Sequence, residues 1–386
     1  MRLGIVSDCI HFKHPDGRIG TETHILLKQL ESLFIYFDEI VLCCPFVAYD
    51  ETKVASYYQS EKLSVIELPN AGGDSFSSKL KIITTIPKWL SAFSKLNKEV
   101  DIIYQRFPNN LNIPGFFYFY FKQRKVFATY TGTWNNYLNE PITYRFQKWL
   151  LKKYFRGPVW AYLEKESTQS KIKKGFSPSY SKTIWDEETT QVNARIKKLQ
   201  QEPITTLKLI SVGIFNQNKN QQLILDACLQ LYKSDINFRL TLVGDGPLKE
   251  QYQKFISENQ LENKIFIAGK KTSEELRILY RENDFVLQSP IQEGFGKVPV
   301  EGFFHGLIPI LSDVALAKLM VDNGNRGFVF KSRSVDDLVI VLKQIINEEN
   351  ELPQKIVLGR DYAATQTLEA WAKGYYDEID RFYNHK

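Results

Sequence analysis

The chain has 386 residues, 43% of them hydrophobic, which exceeds the usual size of one domain and predicts two domains with proper cores. Its net charge of +6 is modest, and no recognisable binding motif accompanies it, which argues against nucleic acid as a partner. The longest apolar run is too short to cross a bilayer, and the N-terminus reaches Asp8 too early for a secretory signal. Four cysteines without a Cys-x-x-Cys pair predict reduced thiols in a cytoplasmic protein, and no metal site is visible.

The first half of the chain alternates between short apolar runs and helical patterns. Such alternation is typical of a doubly wound parallel sheet. Strands are predicted at residues 3–7, 39–44, 63–68, 101–105 and 126–131, with helices around residues 79–98 and 114–122.

A loop is predicted from residue 8 to residue 20, before a helix that opens with capping-type residues at Thr21. Gly17 and Gly20 would then lie at the carboxyl edge of the sheet, where open α/β folds bind their ligands. His11 and His14 stand close together in this loop and are interpreted as solvated side chains.

Residues 141–182 concentrate positive charge, with ten Lys and Arg residues against two acids. A helix predicted over residues 142–156 carries a basic stripe and an apolar, largely aromatic face. Such a helix suits an anionic membrane surface, and the alternative is a core-packed helix with a solvated face. The stripe comprises Arg145, Lys148, Lys152 and Arg156, and the other face comprises Ile142, Phe146, Trp149, Leu150 and Tyr154.

Residues 183–203 are polar and lack apolar periodicity, which predicts a connection between domains. A second βα alternation follows. Its strands are predicted at residues 207–212, 238–243, 264–268, 285–288, 308–311 and 328–330, and its helices at residues 220–232, 248–259, 273–283, 299–304 and 335–348. A last helix is predicted from residue 368 onward.

The stretch from residue 288 to residue 303 predicts a strand end, a glycine loop and a helix start. Pro299 suits the first helical position, which would place Glu301 in the first turn. Glycines allow a ligand close to the backbone, helix starts favour negative charge, and carboxylates accept hydrogen bonds from hydroxyl groups. Glu293 and Glu301 therefore suit a ligand with both a polyol and a phosphate, such as a nucleotide-sugar. Alternatively, Glu301 only complements the helix dipole and Glu293 is a solvated loop residue.

The second half resembles the donor-binding domain of GT-B glycosyltransferases, specifically family 4, the retaining family with the Glu-x7-Glu motif. The resemblance covers roughly 130 residues, and its landmarks occur in the family's order. They are Ser211-Val-Gly213, Lys219, Leu242-Val-Gly-Asp-Gly-Pro247, Phe266-Ile-Ala-Gly269, Asp284, Ser289-Pro290, Glu293-Gly-Phe-Gly296 and Glu301-Gly302.

The resemblance implies a role for each landmark. Glu293 would bind the donor sugar, helped by the amides of Gly294, Phe295 and Gly296, and Glu301 would take the ribose hydroxyls. Lys219 would stabilise the leaving diphosphate without a metal or other cofactor. The remaining donor contacts would come from Gly213, Gly244, Gly269 and Lys270, and from Gly20 and Thr21 of the N-terminal domain.

Three positions depart from the family pattern. Ile214 stands where an arginine usually faces the pyrophosphate, and Thr131 stands where many members have a histidine, with His24 the nearby alternative. Residues 314–318 lack the usual small-residue turn. These departures put an unusual donor or weak activity among the alternatives.

The predicted fold is α/β, with two Rossmann-like doubly wound domains facing a cleft and a C-terminal helix that crosses back. Residues 1–185 would bind the acceptor, residues 186–365 the donor, and residues 366–386 would form the returning helix. The predicted activity is retaining transfer from a nucleoside-diphosphate sugar to a saccharide or lipid-linked saccharide, by a cytoplasmic protein that is peripheral to the membrane. A nucleotide- or glycan-binding partner subunit and a nucleotide-sugar epimerase are the alternatives. The base, sugar, acceptor, linkage and oligomeric state stay open.

Overall fold

The computed structural model describes residues 1–52, 55–71, 76–137, 140–347 and 349–384. It divides the chain into two compact units, Met1–Ser179 with Leu368–Lys386, and Tyr180–Thr367. Each unit is an α/β structure around a sheet with mainly parallel strands, so the predicted fold class is confirmed. These limits fall after Ser179 and Thr367, whereas the boundaries were predicted after residues 185 and 365.

The first unit has ten strands within its described residues. They are β1 (Arg2–Val6), β2 (His11–Lys13), β3 (Ile19–Thr21), β4 (Glu39–Val47), β5 (Ser56–Tyr57), β6 (Leu63–Pro69), β7 (Ile102–Phe107), β8 (Lys125–Tyr130), β9 (Val159–Ala161) and β10 (Ile172–Lys174). The main path runs β10-β9-β8-β7-β1-β4-β2-β3-β5, and β6 pairs with β4. Its helices are α1 (His24–Ser32), α2 (Phe76–Glu99), α3 (Asn112–Phe121), α4 (Ile142–Lys153) and α13 (Leu368–Asn384).

The central strand β1 shows why this sheet is covered on both faces. Leu3 and Ile5 join one apolar core, whereas Val6 joins the core on the opposite face. Gly4 lies so close to α2 that a Cβ atom there would come within 2.9 Å of Leu96. Alternate residues of a strand point to opposite faces, so a strand that is apolar and buried from Leu3 to Val6 fits a doubly covered sheet.

The predicted loop at residues 8–20 contains the antiparallel pair β2 and β3. Gly20 packs its backbone against the Phe12 ring, and Thr21 is buried and donates its hydroxyl to the Ile10 carbonyl at 2.9 Å. His11 is buried as well, with Nε2 3.1 Å from the Tyr58 hydroxyl, so its interpretation as a solvated side chain is wrong. Strand pairing therefore buries His11, Phe12 and Gly20, while the turn between the two strands stays exposed.

Helix α13 packs on the first unit, as predicted. Trp371, Tyr375 and Ile379 recur every four residues and are buried in the core shared with β1 and α1. The Tyr375 hydroxyl lies 2.8 Å from Thr129 Oγ1, and its ring stacks on Trp160 at 4.0 Å. The last helix therefore completes the core of the unit that begins the chain.

The second unit has a six-stranded parallel sheet within its described residues. The strands are β11 (Leu207–Val212), β12 (Phe238–Val243), β13 (Ile265–Gly269), β14 (Phe285–Gln288), β15 (Ile308–Ser312) and β16 (Phe328–Phe330). The order β13-β12-β11-β14-β15-β16 reverses direction between β11 and β14, as in Rossmann-type sheets. The helices are α5 (Lys182–Gln201), α6 (Gln221–Lys233), α7 (Lys249–Glu258), α8 (Ser273–Glu282), α9 (Lys297–Phe304), α10 (Ala317–Met320), α11 (Val335–Asn347) and α12 (Leu352–Ala364).

The polar segment predicted as a connection between domains is instead helix α5 of the second unit. Its buried residues are Glu188 and Val192, and it packs against α9 and α12. Much of what α5 buries is therefore an ionic side chain, which explains why an apolar period was missing.

Helix α4 forms but ends at Lys153 and not at residue 156, so Arg156 lies beyond it, and its predicted basic stripe is also wrong at Lys148. This side chain is buried, and its Nζ lies 2.6 Å from Glu140 Oε1 and donates to the carbonyl oxygens of Trp134 and Asn135. Most of the predicted apolar face is exposed, with Leu150 as the buried exception. The exposed side chains are Ile142, Phe146, Trp149 and Tyr154.

Candidate functional site

The predicted glycines of the second unit meet at the carboxyl edge of its sheet. The Gly213 amide donates to the Val243 carbonyl, and the Gly244 amide donates to the Gly269 carbonyl, each at 2.9 Å. Gly244 has φ +141°, and a Cβ atom there would collide with the Gly213 carbonyl. Only glycine accepts both constraints, so this position requires it. The loops after β11, β12 and β13 are thereby held against one another.

Lys219 lies in the loop between β11 and α6, and Glu293 lies in the loop between β14 and α9. Lys219 Nζ is 2.5 Å from Glu293 Oε2, and both side chains are about three-quarters buried. The Gly294 amide donates to Glu293 Oε1 at 3.0 Å. Two residues predicted separately from motif positions therefore form one ion pair, and Glu293 is not merely solvated.

The two loops that carry this ion pair are joined by further hydrogen bonds. Ser289 Oγ donates to the carbonyls of Lys219 and Asn220 at 3.2 and 2.8 Å. Asn218 Nδ2 donates to the Gln292 carbonyl at 3.0 Å, and its Oδ1 accepts from the Gln292 amide at 3.1 Å. Because adjacent parallel strands end at the same edge, β11 and β14 deliver both loops to one place.

Helix α9 starts earlier than predicted. Gly296 is its N-cap with φ +79°, and Pro299 is the third helical residue, so the prediction of Pro299 at the first position is wrong. Glu301 is the fifth residue and lies beyond the first turn. Since helix-dipole effects fade within that turn, this placement weakens the interpretation of Glu301 as a dipole partner.

Glu301 is 5% exposed, and its Oε2 accepts a hydrogen bond from the Tyr280 hydroxyl at 2.8 Å. Burial and the neighbouring negative charge of Glu301 raise the pKa of Tyr280 well above its ordinary value. The phenol consequently keeps its proton over the ordinary pH range and acts as a donor. The motif carried no signal for Tyr280.

A buried ionic cluster lies behind this pair. Glu188 Oε1 accepts from Arg277 at 2.7 Å and from Arg281 at 2.5 Å, and Glu188 Oε2 lies 3.1 Å from His305 Nδ1. Burial raises the pKa of Glu188, but the hydrogen bonds from His305, Arg281 and Arg277 outweigh it, and the pKa is lowered overall. Burial also lowers the pKa of His305, although the neighbouring Glu188 opposes this. The His305 ring stacks on Tyr280 with centroids 5.1 Å apart, which connects the cluster to Glu301.

The remaining predicted residues are placed as follows. Phe295 is buried, so its predicted contribution is limited to the backbone, and Lys270 is exposed. Gly20 and Thr21 belong to β3 of the first unit. Ile214, where an arginine was expected, is 60% exposed, and Thr131 donates its hydroxyl to the Phe107 carbonyl at 3.0 Å. Neither position supplies a charge.

The described part of the chain shows neither a cluster of metal ligands nor a membrane-spanning helix. No group of three or more His, Cys, Asp or Glu side chains there is arranged to hold a metal ion. Among the same residues, none of the helices has the length and apolar character that a membrane crossing requires.

Comparison with known proteins identifies the class of domain that carries this site. Residues 193–357 match the family described as glycosyl transferases group 1. The whole fold resembles that of a protein from Anabaena solved with UDP and glucose, with a TM-score of 0.68, 15% identity, and 98% and 99% of the two chains covered. Residues 193–357 of the second unit therefore resemble this family, and the fold of the chain resembles that of GT-B glycosyltransferases.

The curated relatives resemble this chain over shorter stretches. A glycosyltransferase from Methanocaldococcus jannaschii is 30% identical over 139 residues, 36% of this chain and 38% of the relative. The GDP-mannose:cellobiosyl-diphosphopolyprenol alpha-mannosyltransferase of Xanthomonas oryzae is 28% identical over 130 residues, 33% of this chain and 34% of the relative. The alignments thus span well under half of these relatives.

Proposed function

We propose that this protein transfers a sugar, with retention of configuration, from a nucleoside-diphosphate sugar to a hydroxyl group of a saccharide, without a metal ion. The observation that carries the proposal is the Lys219–Glu293 ion pair at the sheet edge of a group 1 glycosyltransferase domain. When a cation and a carboxylate are held together, the cation can bind the phosphates of a sugar diphosphate and the carboxylate can bind the hydroxyl groups of its sugar.

The proposed roles follow from charge. Lys219 binds the diphosphate and stabilises the negative charge that develops as the C1–O bond to the nucleotide loosens. Glu293 binds hydroxyl groups of the donor sugar and holds Lys219 in place before the diphosphate arrives. Glu301 binds the ribose. In glycoside hydrolysis two carboxylates flank the scissile bond, whereas here each carboxylate binds a different part of one donor.

The acceptor hydroxyl then attacks C1 from the face that the diphosphate leaves, which retains configuration. Its proton passes to the departing phosphate, so neither Glu293 nor Glu301 needs to act as a nucleophile. Metal independence is part of the proposal because Lys219 supplies positive charge to the leaving group. Turnover should therefore persist in EDTA.

A nucleotide- or glycan-binding partner subunit is the second candidate, favoured by the uncharged Ile214 and Thr131. Loss of a charged donor at position 214 would cost about 1.5–3 kcal/mol of phosphate stabilisation. The paired Lys219 and Glu293, together with the buried Glu301, favour the enzyme, since simple binding does not need all three.

Thermal shift tests the donor site first. UDP and GDP are the primary ligands, because the Anabaena structure contains UDP and the Xanthomonas relative is named for GDP-mannose. At about a hundred times its Kd, a nucleotide should stabilise the fold by roughly 2.7 kcal/mol. Glu301→Ala should abolish that shift. If UDP, GDP and ADP all leave the wild-type melting temperature unchanged, the proposed donor site is wrong.

Turnover separates the enzyme from the binding subunit. Labelled nucleotide-sugars offered with saccharide acceptors should yield a product with the donor's anomeric configuration, and Glu293→Ala should lose it. Nucleotide binding without turnover for any donor would support the subunit instead. Interconversion of nucleotide-sugars without an acceptor would indicate an epimerase.

We further propose that the acceptor is lipid-linked and that α4 contacts an anionic membrane surface. The Xanthomonas relative, by its name, acts on a diphosphopolyprenol-linked saccharide. Apart from Thr143, the outward side chains of α4 are aromatic, aliphatic or basic. The helix contains no Asp or Glu. Aromatic rings with flanking cations are typical of helices that lie in the lipid headgroup region.

Contacts along α4 support this arrangement. The Phe146 and Trp149 rings stack at 5.8 Å, and Trp149 meets Tyr154 edge to face at 5.0 Å. Lys153 Nζ lies 5.5 Å from the Tyr154 ring. Rigid aromatic groups would enter the interface while Arg145, Lys152 and Arg156 attract anionic headgroups. Lys148 is not among the contacts, because Glu140 holds it.

Vesicle flotation tests the membrane proposal with two matched variants. Ile142 on α4 is 82% exposed, and Ile35, elsewhere on the same unit, is 72% exposed. Ile142→Asp should lower binding to vesicles containing phosphatidylglycerol, whereas Ile35→Asp should not. Equal binding to neutral phosphatidylcholine vesicles, or equal loss in both variants, would contradict a specific anionic contact through α4.

A further inference from the structure

We infer that Tyr280 is a positioning residue that fixes the Glu301 carboxylate for a ribose bearing both the 2′- and 3′-hydroxyls, so that the site rejects 2′-deoxyribonucleotides. The inference rests on the proposed function, because it assumes that Glu301 meets the nucleotide's ribose. It goes further by assigning a role to a residue outside the recognised motif and by naming a substrate preference.

The first support is the contact itself. Tyr280 lies in the last turn of α8, is completely buried, and donates its hydroxyl to Glu301 Oε2 at 2.8 Å. A buried carboxylate held by a hydrogen bond has one preferred orientation. Without the phenol, the Glu301 side chain could rotate away from the position that a ligand requires.

The second support is that the ring of Tyr280 is itself held in place by stacking on His305. Its ring stacks on His305 at an angle of 20°, and Tyr180 packs edge-on against the same imidazole with centroids 5.5 Å apart. His305 Nδ1 lies 3.1 Å from Glu188, which two arginines of α8 also bind. Tyr280 of α8 is thus packed against His305, the residue that follows α9, and Glu188 of α5 contacts that histidine in turn.

The choice of ligand follows from the chemistry of a carboxylate. Its two oxygens accept hydrogen bonds in one plane, which matches two neighbouring hydroxyl groups better than a single one. In a buried site, a ligand that lacks one hydroxyl leaves carboxylate lone pairs without a partner, and such sites discriminate strongly against the deficient analogue. Discrimination requires that the carboxylate keep its orientation, and the Tyr280 hydroxyl fixes it.

The experiment measures affinities of UDP, GDP and ADP, each with its 2′-deoxy form, by isothermal titration. Wild-type protein should prefer the ribonucleotide by at least about tenfold, the size expected for one hydrogen bond to a charged group. Tyr280→Phe removes only the phenolic oxygen. It should weaken ribonucleotide binding and leave deoxynucleotide binding nearly unchanged, so that the preference falls to within about twofold of unity.

Tyr375→Phe is the matched control, because it removes a buried hydroxyl 2.8 Å from a threonine in the first unit. It should lower the melting temperature without changing the ribose preference, which shows that lost stability alone does not mimic the effect. If Tyr280→Phe does not fold, Glu301→Asp serves, because it retains the charge but withdraws the carboxylate from Tyr280. That variant should also lose the preference.

The outcomes distinguish the inference from the proposal beneath it. Retention of the full preference in a folded Tyr280→Phe or Glu301→Asp variant would overturn the positioning role while leaving nucleotide binding intact. A wild-type protein that binds nucleotides but does not distinguish ribose from deoxyribose would also overturn it. A wild-type protein that binds none of the three ribonucleotides would overturn the proposed function, and the inference would fall with it.

Discussion

Each unit contains a carboxylate whose side chain is fully buried, and the two carboxylates hold different elements in place. Glu188 of the second unit contacts two arginines and a histidine, and so joins α5, α8 and the residue after α9. Glu140 of the first unit contacts Lys148 at 2.6 Å and Arg145 at 3.7 Å, both on the helix that begins two residues later.

The two buried carboxylates support different parts of the protein. The Glu188 cluster contacts Tyr280 through His305, and Tyr280 in turn binds Glu301. The cluster therefore helps to hold a predicted ligand-binding residue in place. The Glu140 pair withdraws one lysine from the surface of α4 and leaves rings and other cations outward. Buried ion pairs add little net stability against an apolar alternative, yet breaking one is costly. Both therefore fix a local arrangement.

Removal of Glu188 should have the largest effect. Glu188→Ala removes a fully buried carboxylate, so that Arg281 and His305 lose this partner and Arg277 keeps only the half-exposed Glu187, which should cost about 3–5 kcal/mol of unfolding free energy. Glu187→Ala is the control, because this neighbour also contacts Arg277 but is half exposed, and its loss should cost at most about 1 kcal/mol. Urea unfolding of both variants measures the difference. Equal losses would show that the cluster has no special weight.

Lys219→Met should reduce turnover about 10²–10³-fold, because it removes the cation proposed to stabilise the leaving diphosphate. Lys254→Met removes an exposed lysine of α7 that pairs with Glu258 at 3.6 Å, and it should leave turnover unchanged. Steady-state kcat with saturating donor is the measurement. A Lys219→Met variant with wild-type kcat would contradict the proposed role of Lys219 in stabilising the leaving diphosphate.

Each unit also contains a buried histidine, His11 in the first and His305 in the second, and both should make the stability of their unit depend on pH. Burial lowers the pKa of His11 to about 4, although its bond to the Cys9 carbonyl opposes this. The unfolded histidine binds a proton below its ordinary value of 6.5, so the stability contributed by the neutral folded form is present above pH 6.5 and falls as the pH drops towards 4. The loss in the first unit should be about 2–3 kcal/mol.

Tryptophan fluorescence can follow this loss, because the first unit contains all tryptophans except Trp185. Urea midpoints at pH 7 and pH 4.5 should differ less in His11→Gln than in the wild type. Burial also lowers the pKa of His305, so the second unit should lose stability with the same sign. A wild-type midpoint that is unchanged between these pH values would contradict the buried neutral state of His11.

The βα alternation was predictable because strands such as β11 and β14 are short apolar runs bounded by turn residues. Helices whose buried faces carry charge were not. In α12, Lys355 donates to the Gly324 carbonyl at 2.8 Å and Arg360 to the Phe304 carbonyl at 2.5 Å, so cations occupy positions where a periodic pattern needs apolar residues. Helix α5 escaped prediction for the same reason.

Some residues of the candidate site were predictable from the sequence, and others were not. Lys219, Glu293 and Glu301 were predictable because their order along the chain carries a motif, and two of them meet in the structure. Tyr280 and Glu188 were not, because their partners lie 21 residues away in one case and 89 or more in the other. Such pairings depend on which helices become neighbours, and no local pattern records that.

Helix α13 has a consequence for how the protein is made. The second unit is one continuous stretch, Tyr180–Thr367, whereas the first unit needs Trp371 and Tyr375 from the end of the chain. Domains generally fold as units during synthesis. The ribosome therefore completes the later unit before the earlier one, whose α13 docking surface stays uncovered until residues 368–384 have been synthesised.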